Sequence, residues 1–187
     1  MADAIDRARA LNVALTVARL WRLLHVSRSW LGVGGVGASA SLSVSRHELA
    51  AALNFAAPDE HIEFLFRVFG VGRDRVDLLT LLVTTALLSQ GPLEDKAQLV
   101  FSLVDLDTED DITEDELALV VAACSDGLTR LGITGLDERV SETDAVAVAY
   151  EAFSFAGVDD GDKMNMAAFV RWLSFHPRPQ ALFDRLR

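Results

Sequence analysis

Residues 105–116 read Asp105-Leu106-Asp107-Thr108-Glu109-Asp110-Asp111-Ile112-Thr113-Glu114-Asp115-Glu116. Carboxylates occupy positions 1, 3, 5, 7 and 12 of this twelve-residue frame, and an aliphatic residue occupies position 8. A hard cation is held in this way: oxygen ligands wrap one centre, and a Glu closes it with both oxygens. Asp110 departs from the pattern at position 6, where glycine ordinarily makes the sharp turn. The same residues also suit a metal-free purpose. Thr113 and Glu116 are spaced as a capping box, and acids near a helix N-terminus are favourable in any case.

Aligned on this loop, the chain repeats itself. Ile112, Thr113 and Leu117 supply an apolar residue, a helix N-cap and an apolar residue one turn into a helix. The same roles recur as Val44, Ser45 and Leu49, as Val76, Asp77 and Leu81, and as Met164, Asn165 and Phe169. Ser45 and Glu48 form a second capping box. Helical faces precede three of the four copies: Ala97, Val100, Phe101, Val104; Ile62, Leu65, Phe66, Phe69; and Ala149, Ala152, Phe153, Ala156. Any amphipathic bundle yields such faces. It does not yield the fixed order of face, loop, aliphatic, cap and apolar residue. The first copy lacks a leading helix of this kind.

Composition narrows the function. The chain has 187 residues, 51% of them hydrophobic, enough for one large domain or two small ones sharing a core. Its net charge of −11 argues against a nucleic-acid surface. A single cysteine, Cys124, excludes an internal disulfide, fits a reducing compartment and reads as a small core residue sooner than a reactive thiol. The longest apolar stretch, Leu78–Leu88, is interrupted by threonines and is too short to cross a bilayer. The N-terminal segment reads as a helix with Val13, Val17, Leu20 and Leu24 on one face. It can dock onto the first half of the chain, lie on an acidic membrane surface or pack on a partner, and docking is preferred. Leu31–Ser43 is rich in Gly and Ser and reads as a loop. His25, His47, His61 and His176 have no Ser, Cys or carboxylate at motif spacing, and the glycines between Gly32 and Gly37 follow a helix instead of a strand. No enzyme is expected.

These residues resemble the EF-hand superfamily, in the four-motif arrangement of calcineurin B-like and neuronal calcium sensor-like (calaxin-like) proteins with mostly degenerate loops. The likeness is most specific from Gly91-Pro92-Leu93-Glu94-Asp95-Lys96 through Phe101 to Asp105-Leu106-Asp107. The tail of lysophosphatidylcholine acyltransferases is also similar, including Phe175-His176-Pro177, but no acyltransferase domain is present. The resemblance implies an all-α fold: two lobes of paired helix–loop–helix motifs, with short β bridges between paired loops. Val44 would face Val76 and Ile112 would face Met164. Residues 1–30 then form an N-terminal amphipathic helix, 31–90 a degenerate pair, 91–176 a pair with one cation site, and 177–187 a tail.

The resemblance also implies one Ca2+ site. Asp105, Asp107 and Glu109 would be side-chain ligands, Asp111 would offer its carbonyl, Thr113 would act through water, and Glu116 would close the site. Asp110 and the long Glu109 imply weakened affinity. The other loops fail on chemistry. The first offers Gly37, Ser39 and Ser41 with Glu48; the second is one residue short, carries Arg73 and Arg75 and ends on Thr80; the fourth begins at Gly157 and ends at Ala168. Ser125–Thr143 reads as an unusually long connection. The expected function is a non-catalytic calcium-binding regulatory or adaptor subunit that binds an amphipathic helix of a protein partner in a larger assembly. The alternative is a calcium-independent structural subunit. Either would be cytoplasmic, with a ciliary or cytoskeletal assembly as one setting.

Overall fold

A computed structural model describes residues 17–31, 43–53, 60–72, 74–105, 109–133, 140–159 and 161–186. Among them, nine α-helices and five short strands follow in the order α1 (Val17–Leu31), β1 (Ser43–Ser45), α2 (Arg46–Leu53), α3 (Glu60–Phe69), β2 (Gly70–Val71), β3 (Arg75–Asp77), α4 (Leu78–Leu88), α5 (Leu93–Val104), β4 (Asp111–Ile112), α6 (Glu114–Arg130), α7 (Glu142–Ala156), β5 (Met164–Asn165), α8 (Met166–Phe175) and α9 (Pro177–Leu186). The architecture is helical, and the strands are two or three residues long.

Side-chain caps start α7, at Ser141, and four further helices, at the four residues the repeat singles out. Ser45 and Glu48 exchange hydrogen bonds at α2. Asp77 accepts from the backbone of Leu79 and Thr80 at α4. Thr113 and Glu116 close a full capping box at α6, and Asn165 accepts from Ala168 N–H at α8. Each satisfies helix N–H groups that have no partner within the helix. The aliphatic residue before each cap lies in a short antiparallel bridge. Val44 faces Val76, and Ile112 faces Met164. All four are buried.

The second loop is tighter than a cation loop. Gly70 pairs with Val76 and Val71 with Arg75, so β2 and β3 form a hairpin across the residues read as one short of a full frame. β1 adds to the far edge of β3.

One apolar core runs from Leu20 in α1 to Trp172 in α8. Leu20, Leu23 and Leu24 are buried as α1 packs on α2, α4 and α5. α1 thereby docks in the manner preferred above; Val13 and the rest of residues 1–16 lie outside the described residues, as does most of the Gly/Ser-rich stretch. α4 is buried all round, which explains why threonines interrupt an apolar run. Thr85 Oγ1 donates to Leu81 O at 2.6 Å, and Thr80 Oγ1 donates to Asp77 Oδ2 at 2.7 Å. A hydroxyl satisfied inside its own helix costs little when buried.

Two elements differ from the sequence reading. The connection expected from Ser125 begins later, because α6 continues to Arg130. Gly127, within the stretch read as a connection, sits inside that helix where α6 packs along α4. A Cβ there would stand 1.8 Å from Thr84 Oγ1. Arg130, at the end of α6, pairs with Asp126 at 2.6 Å and reaches the carbonyls of Val68 and Gly70 at 3.4 Å. The segment set apart as a tail forms α9, which packs on α8. Gln180 Nε2 donates to Leu173 O and Ser174 O, closing the end of α8. Glu151 in α7 meets Arg178 Nε at 3.0 Å and His176 Nε2 at 3.4 Å, a carboxylate partner for His176 that sequence spacing does not reveal.

Candidate metal centre

The third loop lies between the end of α5 and the start of α6. Asp105 ends α5 and is buried at 6% exposure, and its Oδ1 accepts the Glu109 N–H at 3.1 Å. A carboxylate this deep needs hydrogen bonds or a positive charge to remain ionised. Asp107 falls outside the described residues. Glu109 is exposed, Asp111 half-buried, and Glu116 half-buried at the first turn of α6. Among the described residues, no three carboxylate, imidazole or thiol groups converge as a metal-binding group.

Asp110 has φ 62°, the sole non-glycine residue with positive φ among the described residues. Position 6 therefore makes the left-handed turn that the twelve-residue frame requires, with a side chain that tolerates it at some cost. Asp110→Gly is expected to stabilise the protein by up to about 1 kcal/mol, because glycine adopts this turn without a Cβ clash. Urea unfolding of the two proteins measures this. Equal stabilities would mean that the turn carries no net strain.

Glu116 is engaged in the capping box. Its Oε2 accepts Thr113 N–H at 2.7 Å and Thr113 Oγ1 at 2.9 Å. Both capping contacts fall on Oε2, and a carboxylate has further acceptor sites, so a closing ligand and a cap can coexist on one carboxylate.

The residue that sequence reasoning missed is Lys163. It stands one position before the bridging Met164, and Asp111 stands one position before the bridging Ile112. The bridge brings the two loops together, and Lys163 Nζ lies 2.6 Å from Glu109 Oε2. It is 2.9 Å from Asp111 Oδ1, an ion-pair distance whose approach lies off the axis of a hydrogen bond. The ammonium thus neutralises two of the loop's acids. The signal lay in the alternation of charge at equivalent positions of two paired loops.

Of the residues named in the other loops, Gly37, Ser39, Ser41 and Arg73 lie outside the described residues. In the first, Arg75 donates to Ser43 Oγ at 2.7 Å and to the Ser43 carbonyl, so a guanidinium stands beside the bridge. Hydrogen bonds from Ser45 hold the Glu48 carboxyl below its usual range. In the fourth, Asp159 and Asp162 are exposed, and Asp162 N–H closes a turn onto Asp159 O at 3.0 Å. Cys124 lines a cavity, which gives its thiol some accessible surface, yet burial raises its pKa to about 12. A thiol held protonated in this way is not a nucleophile.

No family model matches this chain, and no curated protein matches it at a significant level.

Proposed function

We propose that this chain is an EF-hand-type regulatory or adaptor subunit that binds one Ca2+ in its third loop and a helical segment of a protein partner. The reading rests above all on Asp110 at φ 62° in position 6 of the acidic frame, between buried Asp105 and the capped Glu116. Asp105, Asp107, Glu109 and Glu116 would hold the ion with side chains and Asp111 with its carbonyl. Calcium bound there would neutralise crowded acids and draw the end of α5 toward the start of α6. Exposed apolar side chains support a partner surface: Val146 and Tyr150 lie one turn apart on α7, and Leu119 lies on α6, at 41%, 62% and 56% exposure.

A second reading, a calcium-independent structural subunit in a cytoplasmic, ciliary or cytoskeletal assembly, is favoured by Lys163. An internal ammonium already offsets Glu109 and Asp111. The two readings separate on one substitution. With Lys163→Met, calcium affinity should rise about three- to tenfold, because a like charge leaves the site while screening limits the gain. The wild-type chain and the variant are compared by calcium titration calorimetry, with magnesium as a control. Absence of binding heat and of any calcium-dependent rise in melting temperature in both proteins would leave the structural reading standing.

A further inference from the structure

A cavity of about 380 Å3 lies among α4, α5, α6, α8 and α9, apart from the acidic loop. Leu87, Val100, Val121, Phe169, Trp172 and Phe183 form much of its wall. Its volume falls in the lower part of the range of small-molecule sites, about 300–1,000 Å3. The cavity is partly open to solvent, so an apolar chain entering it would gain dispersion contacts and bury surface that its lining now leaves exposed.

Two polar groups in the wall lack counterparts. Lys96 is half-buried, and its Nζ donates to Leu87 O at 3.2 Å. An ammonium has three N–H donors, and no carboxylate lies within ion-pair distance of this one among the described residues. Burial lowers its pKa, the mark of a charge held without compensation. The Nε1 of Trp172, itself 6% exposed, is buried without an acceptor among the described residues. The wall is mostly apolar; Arg178, which also lines it, is paired with Glu151, so Lys96 offers a positive charge with no carboxylate beside it and Trp172 an unused donor.

We propose that this cavity binds a single-chain amphiphile with an anionic head, its alkyl chain among Leu87, Val100, Val121 and Trp172 and its head at Lys96. A cationic head is repelled by Lys96, and a neutral head leaves the ammonium unpaired. The net charge of −11 opposes an anion at long range, but salt screens that field beyond about 8–10 Å, so Lys96 decides locally. A carboxylate and a phosphate monoester share the chemistry of this head; both offer anionic oxygens to the ammonium. No residue of the third loop lines this site.

The test uses the full chain, titrated by calorimetry and by tryptophan fluorescence with four probes below their micelle-forming concentrations: sodium dodecanoate, dodecyl phosphate, dodecanol and dodecyltrimethylammonium. Saturable one-to-one binding is expected for at least one anion, with dodecanol and the cation about tenfold weaker or more. Preference between the two anions identifies the head group. Lys96→Met should bring the preferred anion down to the level of dodecanol, and Lys96→Arg should retain it. Val121→Trp, which fills the space, should abolish binding of every probe. Absence of saturable binding, equal binding of the cationic amphiphile, or an unchanged affinity in a folded Lys96→Met protein would each overturn the proposal.

Discussion

Replacing Gly127 by alanine is expected to destabilise the protein by about 2–3 kcal/mol, the range of a core overpacked against rigid neighbours. Helix propensity alone predicts the opposite sign, since alanine is favoured over glycine by about 1 kcal/mol within a helix. Sterics win because the new Cβ would stand 1.8 Å from Thr84 Oγ1 and 2.8 Å from Thr84 Cβ. Thr84 is fully buried on α4 and has no room to turn aside. For a chain of this length the loss corresponds to a fall in melting temperature of roughly 4–12 °C. Thr84→Ala alone should be nearly neutral, because it removes a buried hydroxyl that has no hydrogen-bond partner among the described residues. The double substitution should recover more than half of the loss. Urea unfolding of the four proteins gives the coupling energy. A Gly127→Ala cost below about 0.5 kcal/mol, or no coupling to Thr84, would mean that α4 and α6 do not pack as described.

Glu116→Gln should weaken calcium binding by at least about tenfold, or about 1.4 kcal/mol, while leaving the metal-free protein nearly as stable. The distinction arises because Gln serves a capping box as well as Glu does, but lacks the second anionic oxygen that closes a calcium site. At a calcium concentration about a hundredfold above the dissociation constant, bound ion stabilises the wild type by about 2.7 kcal/mol. That increment should appear in thermal unfolding of the wild type and fall to about 1.4 kcal/mol or less in the variant. Glu116→Ala provides the contrast: it removes the cap as well, and should cost about 1 kcal/mol without calcium. If Glu116→Gln binds calcium like the wild type, Glu116 is a cap and nothing more.

The features legible from sequence are those written in neighbouring residues. Each aliphatic–cap pair marks a bridge position followed by a helix start, and the registers of Val44 with Val76 and Ile112 with Met164 follow from aligning those pairs. The positive φ of Asp110 is similarly local, since position 6 of the frame demands it. Features that depend on distant residues are not legible in this way. Gly127 reads as a break because glycine usually ends helices, yet here its lack of a side chain admits Thr84, forty-three residues earlier. Lys163 takes on meaning only when the two loops are brought together. α9 is short and weakly apolar, and its attachment depends on Gln180, Glu151 and His176 meeting across three helices.

Helix α6 has a mechanical consequence. It begins at Thr113 and Glu116 beside the acidic loop and ends at Arg130 on the carbonyls of Val68 and Gly70. Seventeen residues make a rod about 25 Å long. A tilt of one degree pivoting at one end moves the other by about 0.4 Å. The Arg130 contacts, at 3.4 Å, are already at the limit of a hydrogen bond. The Gly127–Thr84 contact lies one turn from that end and sets how closely α6 can approach α4 there. A rigid tilt of α6 about that contact would be small at Arg130 and largest beside the acidic loop, so the hairpin end of the rod is its quiet end.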